Sequence, residues 1–280
     1  MFSVIFPGQG SQLVGMGKEF YDKFDLVKNL FKEADEALGT TISNTILNGP
    51  KEALDLTANT QPAIFLISYS IFQVVKKEFN IDLFQAKYFA GHSLGEYSAI
   101  ACAGYLDFNS TIKILKIRGD AMQNAVPKGM GGMVAVLGAK VEDIEKILEG
   151  NKDNFIVQIA NDNSEGQIVL SGKTDDLDKL IKNLKEKKIK NIKLPVSAPF
   201  HCNLMDKATT IMHEELNKLS FQKGSNVLIS NVTADEISNA DELKDLLTKQ
   251  IENIVRGRES VINIINNEVI HFIEIGPGKV

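Results

Sequence analysis

Apolar residues in the first part of the chain alternate between short unbroken runs and a long stretch with helical period. Phe2–Phe6 and Tyr88–Ala90 are compact apolar runs typical of buried strands. Between them, Gln61–Phe79 carries apolar residues about every 3.6 positions, which predicts a long helix. Asn59–Thr60 is expected to supply its N-cap, with Pro62 in its first turn. This alternation predicts an α/β-hydrolase-like domain with a parallel sheet.

The pattern changes after a Pro- and Gly-rich linker at Pro127–Gly132. The next elements follow the order β-α-β-β-α-β, which is typical of a ferredoxin-like α+β unit. They are predicted at Gly132–Leu137, Val141–Leu148, Phe155–Ala160, Gln167–Ser171, Asp175–Lys187 and Ile189–Leu194. Buried strands of the larger sheet resume at Val227–Ile229 and Val269–Ile275. We therefore predict a large domain over residues 1–126 and 196–280, interrupted by a small inserted domain over residues 127–195.

Composition and charge narrow the possible functions. The chain has 280 residues, 44% of them hydrophobic and 24% charged, an ordinary balance for a globular protein. Its net charge of −5 argues against a nucleic-acid partner. No basic segment precedes the first apolar run, and no apolar stretch reaches the ~18 residues of a membrane span. Two cysteines, Cys102 and Cys202, are too few for a metal quartet or a disulfide framework. We expect a cytoplasmic protein without a metal or a membrane contact.

A cluster of lysines between Lys179 and Lys193 stands out in a chain that is acidic overall. It admits two interpretations, a solvated helix face or a docking patch for an acidic partner.

The motif G-x-S-x-G occurs at residues 91–95, directly after the apolar run Tyr88–Ala90 and before a helical segment. Such a turn exposes a serine hydroxyl at the carboxyl end of a strand, which makes Ser93 a candidate nucleophile. The backbone N–H of Leu94 lies at the start of the following helix, where the helix dipole favours an oxyanion. A glycine-rich turn with an idle serine remains the alternative, because the motif alone also occurs by chance.

A reactive serine needs a base, and four histidines are candidates. His92 adjoins the serine, where neighbouring side chains point apart. His213 is predicted on the wet face of a helix, and His271 is expected to be a structural histidine within a strand. His201 follows an extended loop after the last strand of the small domain, and such loops carry catalytic groups in open α/β sheets. His201 is therefore the best candidate.

No carboxylate clearly completes a triad with His201, so a backbone or side-chain carbonyl is expected to orient it. Cys202 is a rival nucleophile, but adjacent residues seldom form a nucleophile–base pair. A second oxyanion donor should come from a loop after another strand. The backbone N–H of Gln9, flanked by Gly8 and Gly10 after the first strand, has this character, although a plain turn would look the same.

Six ordered motifs give the chain a resemblance that extends over essentially its whole length. They are FPGQGSQ at 6–12, GHSLGE at 91–96, RGDAMQNAVP at 118–127, PVSAPFHCNLM at 195–205, SNVTA at 230–234 and EIGPGKV at 274–280. Together they resemble the malonyl-CoA:acyl carrier protein transacylases, which load malonyl units for fatty acid synthesis. The acyltransferases of polyketide synthases are relatives.

The resemblance implies a role for each matching residue. Ser93 would be the nucleophile and His201 its base, and the main-chain carbonyl of Gln250 would orient that histidine. The N–H groups of Gln9 and Leu94 would form the oxyanion hole. Arg118 would bind the malonyl carboxylate, whereas without the resemblance it would be interpreted as a surface arginine.

The resemblance also implies the substrates and the reaction. Malonyl-CoA and acyl carrier protein would be the partners, the reaction would be ping-pong transfer through malonyl-serine, and the protein would act as a monomer without a cofactor. Phe200 fits a malonyl group rather than a branched extender. Three alternatives remain: a polyketide acyltransferase, a serine hydrolase and an inactive binding module. Arg118 argues against a general esterase, which would have no use for a fixed cation beside an apolar acyl group.

Two departures from the family pattern accompany the resemblance. The family usually carries a tryptophan after the glutamine that matches Gln250, in the region that here is NIVRGRES, and this chain contains no tryptophan. The chain stops at GPGKV, where family members continue with a further helical stretch, so a truncated tail is expected.

Overall fold

The computed structural model describes residues 1–196, 198–237 and 239–278. Ser197, Ser238, Lys279 and Val280, which include parts of the predicted active-site loop and of the GPGKV ending, lie outside the described residues. Nine strands are found within the described ranges: β1 Phe2–Phe6, β2 Tyr88–Gly91, β3 Gly131–Leu137, β4 Val157–Ser164, β5 Gln167–Lys173, β6 Lys190–Lys193, β7 Val227–Ile229, β8 Glu236–Ile237 and β9 His271–Glu274.

The same ranges contain twelve α-helices. They are α1 Lys18–Lys23, α2 Asp25–Leu38, α3 Ile42–Asn48, α4 Lys51–Leu54, α5 Thr57–Lys77, α6 Leu94–Cys102, α7 Phe108–Asn124, α8 Val141–Glu149, α9 Thr174–Glu186, α10 Asp206–Asn217, α11 Ala240–Gln250 and α12 Gly257–Asn266. Short 3-10 turns lie at Leu83–Gln85 and Asn203–Met205.

The larger sheet has the strand order β8-β7-β2-β1-β9. Its four longer strands are parallel, and only β8 runs antiparallel to its neighbour. The predicted α/β class is therefore confirmed. Strands β1 and β2 are adjacent, with Phe6 paired to Gly91, so their carboxyl ends lie side by side. In parallel sheets this edge is where ligands bind.

The long helix α5 begins earlier than the sequence pattern predicts. Its N-cap is Leu56, not Asn59–Thr60, and Pro62 lies inside the helix rather than in its first turn. The hydroxyl of Thr60 explains the difference, because it donates backwards to the carbonyls of Leu54 (2.6 Å) and Leu56 (3.1 Å). It therefore satisfies carbonyls of the preceding turn instead of capping free N–H groups.

A second, four-stranded antiparallel sheet is formed by β4-β5-β3-β6 in that order. Its elements follow the predicted order β-α-β-β-α-β, and all of them lie between the predicted boundaries 127 and 195. Alternate residues of β3 point to opposite faces of this sheet. Val134 and Val136 pack with residues of α8 and α9, whereas Met133 and Ala135 face a cavity shared with the larger sheet.

The segment NIVRGRES, where the family usually has a tryptophan, attaches the two sheets to each other. The N–H of Val255 donates to the carbonyl of Ala160 (2.8 Å), and the N–H of Asp162 donates to the carbonyl of Val255 (3.0 Å). Arg258 of α12 forms a salt bridge with the buried carboxylate of Asp162, with Nη2 2.8 Å from Oδ2. These contacts hold β4 beside the carboxyl edge of the larger sheet.

The last strand is shorter and more exposed than the sequence predicts. The expected buried strand Val269–Ile275 is reduced to His271–Glu274, and most of its residues are exposed. Strand β9 lies at the end of the sheet and, among the described strands, pairs only with β1. Val269 and Ile275 at the two ends of the predicted run are buried, but the strand between them is mostly exposed. Throughout the described ranges, no helix combines the length and the apolar character that crossing a membrane requires.

Candidate active site

Ser93 lies in the sharp turn between β2 and α6, with φ 53° and ψ −109°. This is a strained conformation for a residue with a side chain. The turn requires glycine on both sides. A Cβ atom on Gly91 would lie 2.0 Å from the backbone of Gly95, and a Cβ atom on Gly95 would lie 2.4 Å from the carbonyl oxygen of Phe6. The motif therefore encodes close strand–helix packing that presents the serine at the sheet edge.

Asn231 holds this turn from the end of the neighbouring strand β7. Its side-chain oxygen accepts a hydrogen bond from the N–H of Ser93 (2.7 Å), and its Nδ2 donates to the carbonyl of Gly91 (2.7 Å). Asn231 is buried, so both contacts are shielded from water. These hydrogen bonds stabilise the strained backbone at Ser93.

Ser93 and His201 are in direct contact although they are 108 residues apart in the chain. The Oγ of Ser93 lies 2.8 Å from Nε2 of His201. The other ring nitrogen, Nδ1, lies 2.8 Å from the main-chain carbonyl of Gln250. Because a carbonyl can only accept, Nδ1 carries the proton, and Nε2 is free to accept from the serine hydroxyl. This is the arrangement of a nucleophile and a general base oriented by a carbonyl.

Burial, together with the positive charge of Arg118, lowers the pKa of His201 from 6.5 to about 3. Both effects disfavour the imidazolium form, because neither apolar surroundings nor a neighbouring cation stabilises it. The histidine is therefore neutral, and so able to accept a proton, throughout the physiological pH range.

We expect the ring of His201 to stay neutral as the pH falls through 6.5 and to take up a proton only near pH 3. The stability contributed by the buried neutral ring is complete above pH 6.5 and is lost as the pH falls from there towards 3, because the unfolded chain then binds more protons. NMR of the ring carbon-bound protons measures this. A transition near 6.5 in the folded protein would contradict the expectation.

The other three histidines do not reach the serine hydroxyl in this structure. His92 turns its Nε2 towards Oδ1 of Asn163 on β4, 2.8 Å away. His213 is exposed on α10, as predicted, and contacts Asn217. His271 was expected to be a structural histidine, but it is exposed on the edge strand β9. The preference for His201 among the four thus agrees with the geometry.

Cys202 is buried and is a poor rival nucleophile. Its Sγ lies 3.1 Å from the carbonyl of Pro199 and 3.6 Å from Oγ of Ser171. Burial raises the pKa of its thiol, which lowers the thiolate fraction.

Arg118 is a buried arginine of α7, with only 1% of its surface exposed. Its Nη2 lies 3.1 Å from Oγ of Ser93 and donates to Oε1 of Gln250 (2.7 Å), and its Nη1 donates to Oε1 of Gln61 (2.8 Å). All three acceptors are neutral, and among the described residues Arg118 has no salt-bridge partner. Within the described part of the chain, a cation is therefore held beside Ser93 without a carboxylate in contact with it.

A cavity of about 220 Å³ lies between the two sheets and opens onto these groups. The remaining predicted site residues, Gln9, Leu94 and Phe200, all line it. Leu94 is the first residue of α6, so its N–H has no partner within the helix. The walls of the cavity are mostly apolar by area, which strengthens electrostatic contacts with a bound group.

Three polar residues at the site were not predicted as site residues. Asn231 and Glu96 belong to the motifs SNVTA and GHSLGE, so the motif positions were a usable signal. Gln61 gave no signal, because a glutamine within an amphipathic helix is usually a surface residue.

The lysine cluster lies away from the cavity. Lys185, Lys187 and Lys188 are exposed at the end of α9, and the buried leucines of this helix pack on the face of the small sheet that carries Val134 and Val136. The cavity is on the opposite face. The cluster therefore does not line the cavity, and its exposure is compatible with a solvated face as well as with a docking patch for an acidic partner.

Comparison with known proteins gives consistent matches. Residues 3–279 match the family model of the acyl transferase domain. The chain is 41% identical to the malonyl CoA-acyl carrier protein transacylase of Bacillus subtilis, over 99% of this chain and 86% of that protein. The solved acyl-carrier-protein-S-malonyltransferase of Bartonella henselae is 39% identical, with a TM-score of 0.96 over 99% of this chain and 89% of that one.

A malonyl-transacylase solved in complex with its type II PKS acyl-carrier protein is 35% identical, with a TM-score of 0.95 over 100% of this chain and 90% of that chain. Identity and coverage at this level identify the family without further argument. The chain belongs to the acyl transferase family and, within it, groups with the malonyl CoA-acyl carrier protein transacylases.

Proposed function

We propose that this protein transfers a malonyl group from malonyl-CoA to the phosphopantetheine thiol of an acyl carrier protein, through a malonyl ester on Ser93. The observation that carries this proposal is the buried guanidinium of Arg118, which lies 3.1 Å from the serine hydroxyl and whose hydrogen-bond acceptors among the described residues are all neutral. A buried charge is costly unless it is paired. The free carboxylate of a malonyl group pairs with it, whereas an acetyl group cannot.

In the first half-reaction, Oγ of Ser93 attacks the thioester carbonyl of malonyl-CoA while its proton passes to Nε2 of His201. The tetrahedral oxyanion accepts hydrogen bonds from the N–H groups of Gln9 and Leu94. The carbon–sulfur bond then breaks, and coenzyme A leaves as the thiol with the proton from His201. Malonyl-Ser93 and a neutral histidine remain.

The second half-reaction runs the same steps with a different thiol. The phosphopantetheine thiol gives its proton to His201, and its sulfur attacks the ester carbonyl. The same two N–H groups stabilise the oxyanion. The ester bond to Ser93 breaks, and the serine oxygen regains the proton. All protein groups in this cycle come from one chain, so a single copy is sufficient, and no step uses a metal or a nucleotide cofactor.

Incubation with malonyl-CoA alone should add one malonyl group to the protein, and a later addition of holo carrier protein should remove it. Intact mass spectrometry measures both steps, and Ser93→Ala should gain no mass. Rapid release of free malonate without carrier protein would identify a serine hydrolase instead. A wild-type protein that gains no mass would indicate an inactive binding module.

The complex of a relative with a type II PKS acyl-carrier protein supports a second candidate, supply of malonyl units to a polyketide synthase. The acyl-enzyme chemistry would be identical. Rates of transfer from malonyl-Ser93 to a fatty-acid carrier protein and to a polyketide carrier protein distinguish the two, and we expect the fatty-acid carrier to be preferred.

A further inference from the structure

Glu96 is a buried carboxylate close to the nucleophile that has no task in the proposed cycle. It lies in the first turn of α6, three positions after Ser93, and only 1% of its surface is exposed. Burial raises its pKa to about 7, so it is ionised in mildly alkaline solution. A buried carboxylate must be compensated by hydrogen bonds, and its partners therefore indicate its purpose.

The two hydrogen-bond partners that the side chain of Glu96 has in the described part of the chain belong to the candidate active site. Its Oε2 accepts from Nε2 of Gln250 (2.5 Å) and from the N–H of Asn231 (3.3 Å). Gln250 provides the carbonyl that orients His201, and Asn231 holds the turn at Ser93. Glu96 thus connects the two residues that support the dyad.

The contact with Glu96 is the shortest of three that orient the side-chain amide of Gln250, whose Nε2 also donates to the carbonyl of Ser93 (3.1 Å) and to Oδ1 of Asn231 (3.4 Å). An ionised carboxylate can only accept, so Gln250 must direct its NH₂ group towards Glu96. The amide oxygen of Gln250 then points to Arg118, whose Nη2 donates to it at 2.7 Å. If the amide were reversed, its NH₂ group would face the guanidinium, and two donors cannot form a hydrogen bond with each other. Glu96 is the charged one of the three acceptors that keep the amide oxygen of Gln250 facing Arg118.

We propose that Glu96 is a positioning residue that holds the guanidinium of Arg118 in place for the substrate carboxylate, acting through the side chain of Gln250. The inference rests on the proposed malonyl transfer. It assigns Glu96 to acyl-group selectivity rather than to the transfer chemistry, because among the described residues Glu96 forms no hydrogen bond with the serine hydroxyl or with His201.

The test is Glu96→Gln, which keeps the shape but removes the charged acceptor among those that orient Gln250. Loading of Ser93 from malonyl-CoA and from acetyl-CoA is followed by quenched-flow mass spectrometry at about pH 8, where Glu96 is ionised. We expect kcat/KM for malonyl-CoA to fall about 10-fold to 100-fold, mainly through a higher KM, as expected for loss of one charge-assisted hydrogen bond. Acetyl loading should change by less than about twofold.

Two further variants sharpen the test. Ser98→Ala is the matched control, because Ser98 is buried on the same helix and its hydroxyl has no partner among the described residues. It should keep wild-type selectivity. In an Arg118→Ala background, Glu96→Gln should cost less than about a further twofold, since the residue it acts through is already gone.

Equal losses of malonyl and acetyl loading in Glu96→Gln would show a merely structural role and overturn the inference. The inference would also be overturned if Glu96→Gln lowered malonyl loading as much in the Arg118→Ala background as in the wild-type protein. Glu96→Met, which removes the acceptor completely, should lower the ratio of malonyl to acetyl loading further. If this variant does not fold, the nearly isosteric Glu96→Gln still tests the inference. A wild-type protein that takes up no malonyl group would instead overturn the proposed function, and this inference with it.

Discussion

Replacing Arg118 with alanine should lower kcat/KM for malonyl transfer about 10²-fold to 10³-fold, whereas acetyl transfer should stay constant or rise. Truncating one partner of a buried charge pair typically costs about 2–5 kcal/mol, a range that contains this loss of rate. Acetyl transfer has no such pair to lose. It should even gain, because the charge of Arg118 is one of the causes that lower the pKa of His201, and its removal makes the histidine a stronger base.

The measurement is the ratio of malonyl to acetyl kcat/KM, taken from the rate of coenzyme A release in the presence of carrier protein. Lys116→Ala is the matched control, since Lys116 is a cation on the same helix that pairs with Asp120 near the surface. It should leave the ratio unchanged. Parallel losses for both acyl groups in Arg118→Ala would rule out the role of carboxylate clamp.

Replacing His201 with alanine should reduce malonyl and acetyl loading alike, by about 10²-fold to 10⁴-fold, the usual contribution of a general base. The reason is the 2.8 Å contact between its Nε2 and the serine hydroxyl, which is the only proton-accepting contact with that hydroxyl among the hydrogen bonds of the described residues. The burst of coenzyme A release on mixing with either acyl-CoA measures the effect.

His213→Ala, at an exposed position on α10, should load at the wild-type rate and serves as the control. A selective loss, with acetyl loading preserved in His201→Ala, would assign His201 to substrate binding. Loading at an undiminished rate would mean that another group accepts the serine proton.

Much of the site was predictable because its signals are local. The turn at residues 91–95 depends on two glycines whose missing side chains allow strand and helix to touch, and such a requirement is visible in a few consecutive letters. Gln9, flanked by glycines after β1, is another local signal, and it does line the cavity. His201 could be preferred over His92 because adjacent side chains in a turn diverge.

Other features could not be read from local patterns. The start of α5 depends on where the hydroxyl of Thr60 finds carbonyls, which the sequence does not show. The exposure of β9 follows from its position at the end of the sheet, because burial depends on which neighbours cover a strand. The direction of the lysine-rich α9 depends on which face of the small sheet it packs against.

By itself, the sequence determined the α/β class, the serine turn and the preferred base, since these depend on periodicity and on short-range sterics. Tertiary structure alone decided that Arg118 is buried beside Ser93, because residues 25 positions apart meet there only when α7 packs behind the turn. It also decided that Gln250 and Glu96, 154 positions apart, share a hydrogen bond in the same polar network. Long-range packing buries such groups together, away from water. In that low-dielectric interior a cation, an amide and a carboxylate constrain one another strongly.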